Sequence, residues 1–223
     1  METLRNGGCC GGGELSMSNP SPVPHVHAPG ALAEALAMVQ QWLEQSVAAG
    51  LAFQHGETVD VGWLPFQVSF DSRGLRVSGP RIGSPMTFVD DCSMALNLLA
   101  AQQYLLDSFG AESGPCHAFH TALVVNDLLE CPTWYIDRLE PTVEGHSGWY
   151  FGGLESQLDP QEDHNVGVMT LWDLFSYRPY IGPFLQLPVG WQVSFEERPL
   201  VSFEYEPVAP YPKSFYTQQY GVS

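Results

Sequence analysis

Basic residues are scarce in this sequence, and their scarcity restricts its partners. The 223 residues include 8 Lys and Arg against 25 Asp and Glu, which gives a formal charge of −17 at pH 7. A chain of this charge repels the phosphate backbone of nucleic acids, so direct nucleic-acid binding is not expected. A strongly acidic surface instead attracts cationic proteins over a long range. We therefore predict a partner of positive charge.

Paired cysteines and long apolar runs are also missing. The five cysteines are odd in number and lack paired metal-ligand spacing, which argues against a disulfide framework and favours a reducing compartment. No apolar run reaches ~18 residues, and the N-terminal segment has no apolar core of signal-peptide length. We expect a cytoplasmic protein that does not contact membranes, with Met1 and Met17 as alternative translation starts.

The common catalytic and cofactor-binding motifs are absent as well. The sequence has no Gly-x-Ser-x-Gly, no phosphate-binding loop followed by Lys-Ser/Thr, no Gly-x-Gly-x-x-Gly after a strand and no His-Glu-x-x-His. These absences exclude the common enzyme signatures. We therefore predict a non-catalytic protein without a cofactor or a bound metal.

Two small groups of residues support an alternative function, a small metal-dependent or hydrolytic enzyme. Cys116, His117 and His120 form a Cys-His-x-x-His cluster, but a closed zinc site needs about four ligands. Asp163 next to His164 offers an acid-base pair, although no nucleophile accompanies it. The loop around this pair also lacks the acid spacing of an EF-hand, so a solvated acidic loop is the preferred interpretation.

Composition divides the chain into three parts. Residues 1–29 are rich in Gly, Pro and Ser and are predicted to form a flexible tail. Residues 30–112 are expected to form an N-terminal α+β region and residues 113–223 a C-terminal α+β region, the two packed as one compact unit. The predicted fold class is α+β, with antiparallel sheets, two main amphipathic helices and short C-terminal helices.

Helical periodicity marks the two main helices, over Ala31–Ala48 and Asp91–Phe109. Gly110 is expected to end the second helix, and Thr170 followed by Asp173 predicts the capped start of a short third helix. The predicted buried residues are Leu32, Leu36, Val39 and Leu43 in the first helix and Met94, Leu98, Leu105 and Phe109 in the second.

Alternating apolar residues and β-branched runs predict strands in both regions. In the N-terminal region, residues 59–70 form one bent strand or two strands, and Leu75–Ser78 pairs back as a hairpin that Gly79 and Pro80 end. The predicted C-terminal strands are Thr121–Val125, Thr133–Leu139, Trp149–Gly152, Gln192–Phe195 and Val201–Tyr205. Trp149, Trp172 and Trp191 are expected in the core, with the lining of a pocket or an interface as the alternative. A structural or regulatory domain that self-associates through aromatic surfaces is a third possible function.

A set of short motifs in the C-terminal region resembles the immunity protein 33 family. The motifs are Ser147-Gly148-Trp149, an acidic loop bearing Asp159, Asp163, His164 and Asn165, the helix Leu171-Trp172-Asp173-Leu174, then Pro179, and Phe184-Leu185-Gln186-Leu187-Pro188-Val189-Gly190. Upstream, Val61-Gly62-Trp63 and Met86–Asp90 are similar to longer members. The resemblance covers residues 57–195.

This resemblance implies a cytoplasmic antidote that binds one cognate bacterial toxin and has no catalytic activity of its own. Members resemble one another while they neutralise different toxins, so the toxin and its binding site do not carry over. The shared motifs consist mostly of glycine, proline and aromatic residues, which suggests that they specify the fold rather than the contact surface.

Charge distribution gives a prediction for the contact surface. Between Glu140 and Glu206, eleven acidic residues stand against two basic ones. Toxins that attack nucleic acids need a cationic groove, so we expect a basic, nuclease-type toxin, with type VI secretion as one route of delivery. The residues predicted to contact it are Glu155, Asp159, Glu162 and Asp163. A homodimer of this chain is compatible with these predictions.

Overall fold

A small sheet forms the N-terminal part of the fold. The structure is a computed structural model that describes residues 24–72 and 74–221. The strands of this sheet are β1 His25–Val26, β2 Thr58–Val61, β3 Leu64–Asp71, β4 Gly74–Arg81 and β5 Thr87–Val89. Four of them follow the order β1-β4-β3-β2, and β5 pairs with the end of β4. Two strands, β2 and β3, therefore occupy the segment that the sequence predicted as one bent strand or two.

Two predictions need correction at the ends of this sheet. The prediction of a flexible tail over residues 1–29 is wrong for its last residues, because β1 pairs with β4 and Val26 is buried. Residues 1–23, with Met1 and Met17, lie outside the described residues. Strand β4 also continues through Gly79 and Pro80 to pair with β5. Proline lacks a backbone N–H but is tolerated there, because this part of β4 has a partner strand on one side only.

A larger sheet forms the C-terminal part. Its strands are β6 Thr121–Val125, β7 Trp134–Arg138, β8 His146–Gly153, β9 Val166–Thr170, β10 Trp191–Phe195, β11 Pro199–Phe203 and β12 Glu206–Pro207. They follow the order β12-β11-β10-β7-β8-β6-β9. Most neighbours are antiparallel, as predicted, whereas β6 with β8 and β1 with β4 are parallel. The α+β class is confirmed, with two mixed sheets in place of purely antiparallel ones.

The helices lie close to their predicted positions. Four α-helices are described: α1 Ala33–Ala48, α2 Ser93–Phe109, α3 Leu171–Tyr177 and α4 Phe215–Tyr220. Three short 3₁₀ helices span Leu128–Glu130, Asp163–Asn165 and Pro179–Phe184. Gly110 ends α2 in the left-handed conformation, and the Thr170 hydroxyl caps α3 by accepting from the Asp173 N–H at 3.1 Å. Both local predictions are confirmed.

The predicted helix faces need small changes. In α1, Val39 and Leu43 are buried as expected, whereas Leu32 precedes the helix and is exposed. In α2, Leu98, Leu105 and Phe109 are buried, while Met94 is only half-buried. The helix buries a wider face than one stripe because it contacts α1, β4, the 3₁₀ turn at 179–184 and α4.

Direct contacts connect the two sheets. The Trp63 indole lies edge-on to Phe175 of α3, with ring centroids 5.5 Å apart. The Gln102 side-chain amide of α2 donates to the Gly182 carbonyl oxygen at 2.8 Å in a buried position. The Trp172 indole N–H likewise donates to the Gly83 carbonyl at 2.8 Å. The boundary predicted between residues 112 and 113 stays a prediction. No helix in the described part of the chain is long and apolar enough to span a membrane.

Candidate functional site: an uncovered sheet face with an acidic edge

The larger sheet has two chemically different faces because side chains alternate along each strand. One face enters the core through Trp134, Ile136, Phe151 and Val193, which are all buried. The opposite face, called here the outer face, carries Leu123, Tyr135, Asp137, Tyr150, Val168, Gln192, Ser194, Leu200 and Ser202. Leu123, Val168 and Leu200 on this face are exposed.

The outer face is apolar near both of its long sides. Val168 of β9 and Leu123 of β6 are paired neighbours, and Val168 is 61% exposed. On the other side, Leu200 is 46% exposed. Tyr135 and Tyr150 lie between these residues, with ring centroids 5.9 Å apart. Uncovered apolar surface of this kind typically marks a site that contacts another molecule.

A groove of about 560 Å³ lies over β7, β10 and β11 on this side of the sheet. Its wall includes Tyr135, Asp137, Leu154, Gln192, Leu200 and Tyr205. The Tyr205 hydroxyl donates to Asp137 Oδ2 at 3.2 Å, whereas Asp137 Oδ1 is buried and has no hydrogen-bond partner. The nearby Asp137 carboxylate raises the pKa of Tyr205. The groove therefore contains a carboxylate beside aromatic rings.

The turn that holds Tyr205 is conformationally strained. Glu204 and Tyr205 join β11 to β12 and have φ angles of 48° and 66°, in the left-handed region that favours glycine. The turn keeps its shape through Gln192, whose Oε1 accepts from the Tyr205 N–H and from the Ser202 hydroxyl, both at 3.0 Å. Strained backbone that its surroundings hold in place is common at functional sites.

Carboxylates gather at one end of the same sheet. The loops that meet there follow β6, β8 and β10 and precede β7, β9 and β11. The acidic residues of these loops, called here the acidic edge, are Asp127, Glu130, Glu155, Asp159, Glu162, Asp163, Glu196 and Glu197. Strand order, rather than proximity in sequence, produces this concentration of negative charge.

The four residues predicted to contact a partner all lie on the acidic edge and are exposed. Glu155 Oε2 accepts from the Thr133 N–H at 3.3 Å. Further along the loop, the Asn165 side-chain amide donates to Glu162 Oε2 and to the Asp159 carbonyl, both at 3.1 Å. Asn126 at the end of β6 donates from its side chain to the His164 carbonyl at 2.7 Å. The Asp159 carboxylate accepts from the Gln161 N–H at 2.9 Å. Hydrogen bonds therefore position the carboxylates of Glu155, Asp159 and Glu162.

The residues of the alternative enzyme do not assemble into one centre. Cys116 is buried, and burial raises the pKa of its thiol despite the Arg138 guanidinium beside it. The ring centroids of His117 and His120 lie 4.9 Å apart, and His117 Nδ1 lies 3.8 Å from Asp60 Oδ2. Within residues 24–72 and 74–221, no three His, Cys, Asp or Glu side chains are placed to hold a metal ion.

The second candidate pair, Asp163 and His164, is exposed on the acidic edge. His164 Nε2 lies 3.4 Å from Glu162 Oε2, so its nearest carboxylate belongs to Glu162 and not to Asp163. Neither residue lines a described groove. The pair therefore belongs to an exposed acidic loop, which is the interpretation preferred from the sequence.

Buried polar groups surround Arg138 on the inner face of the sheet. Its guanidinium lies over the Trp149 ring at 5.2 Å and donates to the Pro115 carbonyl at 2.7 Å. Burial lowers the pKa of both His120 and His146, and the positive charge of Arg138 lowers each further. The arrangement disfavours protonation of both imidazoles near a buried cation.

Sequence reasoning missed the groove. The pattern over residues 133–139 predicts a strand but does not show which side of that strand stays uncovered, so it does not single out Tyr135 and Asp137. The available signal was the alternation Trp134, Ile136, Arg138 against Tyr135 and Asp137. The three tryptophans, by contrast, are buried as predicted.

These features define an α+β protein whose clearest surface feature is an uncovered apolar sheet face bordered by carboxylates, as expected of a protein that contacts another protein. Residues 101–204 match the model of the Imm33-like domain. The chain therefore contains an Imm33-like domain, a domain of an immunity-protein family, and the resemblance read from the motifs is confirmed. The match begins at Ala101, so the upstream likeness over residues 57–100 stays a prediction.

No curated protein and no solved structure matches the chain. The family match is therefore the comparison that bears on function.

Proposed function

We propose that this protein is a non-catalytic immunity protein that binds and neutralises one cognate bacterial toxin in the cytoplasm. The observation that carries the proposal is the Imm33-like domain over residues 101–204. We further propose that the toxin is cationic and of the nuclease type, and type VI secretion is a compatible route of delivery. The formal charge of −17 supports this choice of partner.

Electrostatics explains how such a protein would act on a nuclease. A nuclease binds a polyanion and so presents a cationic groove, which carboxylates can fill in place of the substrate. Long-range attraction between opposite charges also raises the association rate. The acidic edge offers exposed carboxylates that hydrogen bonds hold in position, as a surface that replaces a phosphate backbone requires. Occlusion of the toxin's active site and clamping at a distance are both compatible with this arrangement.

The size of the outer face supports an interface that includes the acidic edge. Seven strands spaced about 4.8 Å apart, each about five residues long, give a face of roughly 30 by 16 Å, or about 500 Å². A stable protein–protein interface needs about 800 Å² on each partner. The neighbouring loops at 154–165 and 196–198 would supply the remaining area and the charge. We therefore assign the outer face and the acidic edge to one continuous surface.

Co-expression tests the proposal. Cells that express the toxin domain encoded next to this gene should survive when this protein is present and die when it is absent. Purified partners should then associate quickly at low salt, with an association rate that falls as the ionic strength rises, because steering by surface charge is screened. Failure to rescue would refute the immunity function.

Two matched variants locate the surface. The first, Glu155→Gln, Asp159→Asn, Glu162→Gln and Asp163→Asn together, should lower the association rate with the toxin by about tenfold or more. The control neutralises Glu44, Glu112, Glu140 and Glu144, which are also exposed but lie away from the acidic edge. Both variants change the charge equally, so equal association rates would eliminate the predicted loop from the interface.

A further inference from the structure

Asp137 is an acidic residue that forms no ion pair among the described residues, in a groove whose wall is mostly apolar but also includes Gln192, Arg198 and Ser202. The Oδ1 atom of Asp137 is buried and accepts no hydrogen bond within the described part of the chain. Burial of a carboxylate oxygen away from bulk solvent is unfavourable unless a hydrogen-bond donor reaches it. The position therefore suits a ligand that brings N–H donors and positive charge.

The surroundings of Asp137 suit a planar cation. Tyr135 precedes it on the outer face two residues away, and Tyr150 is its direct neighbour on β8. The Tyr205 hydroxyl contacts the carboxylate. Tyr205 is 76% exposed, so its side chain has room to rotate away from Asp137. Aromatic faces next to a carboxylate attract guanidinium groups, which stack on rings and donate to both oxygens at once.

We propose that the groove binds an arginine side chain of the partner protein, with the Asp137 carboxylate as its acceptor and Tyr135 and Tyr205 beside the guanidinium. In the free protein the Tyr205 hydroxyl acts as a substitute donor to Oδ2. The strained turn at Glu204 and Tyr205 keeps that hydroxyl in place, and it yields when the arginine enters. This inference rests on the proposed function, because it supplies an anchor for the toxin on the outer face.

An arginine fits the site better than a lysine does. A guanidinium carries five donors in a rigid plane and reaches two carboxylate oxygens, whereas an ammonium is a compact, strongly hydrated point charge. Arg198 also lines the groove. It lies in the turn between β10 and β11, beyond Ser194, which pairs with Tyr135. No ion pair among the described residues joins it to Asp137.

NMR titration of the full chain tests the site without the toxin. The probe is N-acetyl-arginine methylamide, and the matched control probe is N-acetyl-citrulline methylamide, which has the same shape without the charge. The arginine probe should shift the amide resonances of Asp137, Gln192 and Tyr205, and the citrulline probe should not. Asp137→Asn should weaken binding of the arginine probe by about tenfold or more, since a neutral amide replaces the charged acceptor.

A second variant tests whether Asp137→Asn loses binding of the arginine probe only because its structure is disturbed. Tyr205→Phe keeps the ring and frees Oδ2, so the affinity for the arginine probe should rise by about twofold or more. Equal binding of both probes, or unchanged binding by Asp137→Asn, would overturn the arginine site. If the wild-type protein rescues cells from the toxin but binds neither probe, the site is wrong and the immunity function stands. If the arginine probe binds but the protein does not rescue cells, the arginine site stands and the immunity function is wrong.

Discussion

Two glycines at the start of β8 allow a direct test of what the family motif does. Gly145 directly precedes β8 and Gly148 lies within it, with φ angles of 79° and 82°. Any other residue is strained there by about 1–2 kcal/mol. Their surroundings differ, because a Cβ on Gly145 would meet no atom within 4 Å, whereas a Cβ on Gly148 would lie 2.2 Å from the Leu139 carbonyl oxygen. Only Gly148 belongs to the Ser147-Gly148-Trp149 motif.

The two alanine variants should therefore differ in stability. Gly145→Ala should cost about 1 kcal/mol of unfolding free energy, since backbone strain is partly offset by the lower entropy of the unfolded chain. Gly148→Ala carries the same strain plus a clash with backbone worth about 1–3 kcal/mol. It also disturbs the bond from the Leu139 N–H to the Gly148 carbonyl, which measures 2.9 Å. We expect a total of about 3–5 kcal/mol for this variant.

Urea unfolding followed by tryptophan fluorescence measures both values. With an m-value of about 2 kcal/mol/M, Gly148→Ala should lower the midpoint by roughly 2 M and Gly145→Ala by roughly 0.5 M. Unfolding free energies of the two variants within about 1 kcal/mol of each other would refute the reasoning. The clash at Gly148 would then have relaxed, and the motif would need an explanation other than the close approach of the Leu139 carbonyl to Gly148.

Two further predictions concern pH and helix capping. Burial and the charge of Arg138 lower the pKa of His120 and His146, so the folded protein binds fewer protons than the unfolded chain below about pH 6.5. The contribution of the two neutral imidazoles to stability is complete above that pH and is lost as the pH falls below it. His120→Gln should therefore reduce the loss of unfolding free energy between pH 7 and 5. Identical pH profiles of the variant and the wild-type protein would contradict this. Thr170→Ala should destabilise the protein by about 1 kcal/mol because it removes the α3 cap, whereas Thr170→Ser should retain most of the stability in the same thermal unfolding assay.

Local features of the fold were predictable where neighbouring residues decide them. The spacing of Val39 and Leu43 indicated α1, Gly110 ended α2, and Thr170 with Asp173 capped α3, because each depends on atoms within a few residues along the chain. The extension of β4 through Pro80 was not predicted. It depends on β5, a strand with no local signal strong enough to reveal the pairing.

The candidate site divides in the same way. The negative charge and the exposed acidic loop were evident from composition, and the family motifs identified an immunity-protein domain that the match over residues 101–204 confirms. The outer face was not evident. Alternation shows which residues share one side of a strand, but it does not show which side a helix will cover.

The sequence alone determined the charge of this protein, its helix ends and the short motifs of its family, since all of these follow from residue identity and near neighbours. Only the tertiary structure decided that β10 lies beside β7, more than fifty residues away, and that β12 ends the sheet. That long-range pairing brings Tyr205 over Asp137 and gathers carboxylates from separate loops on one edge. Strand order depends on contacts between distant segments, and no local pattern specifies them.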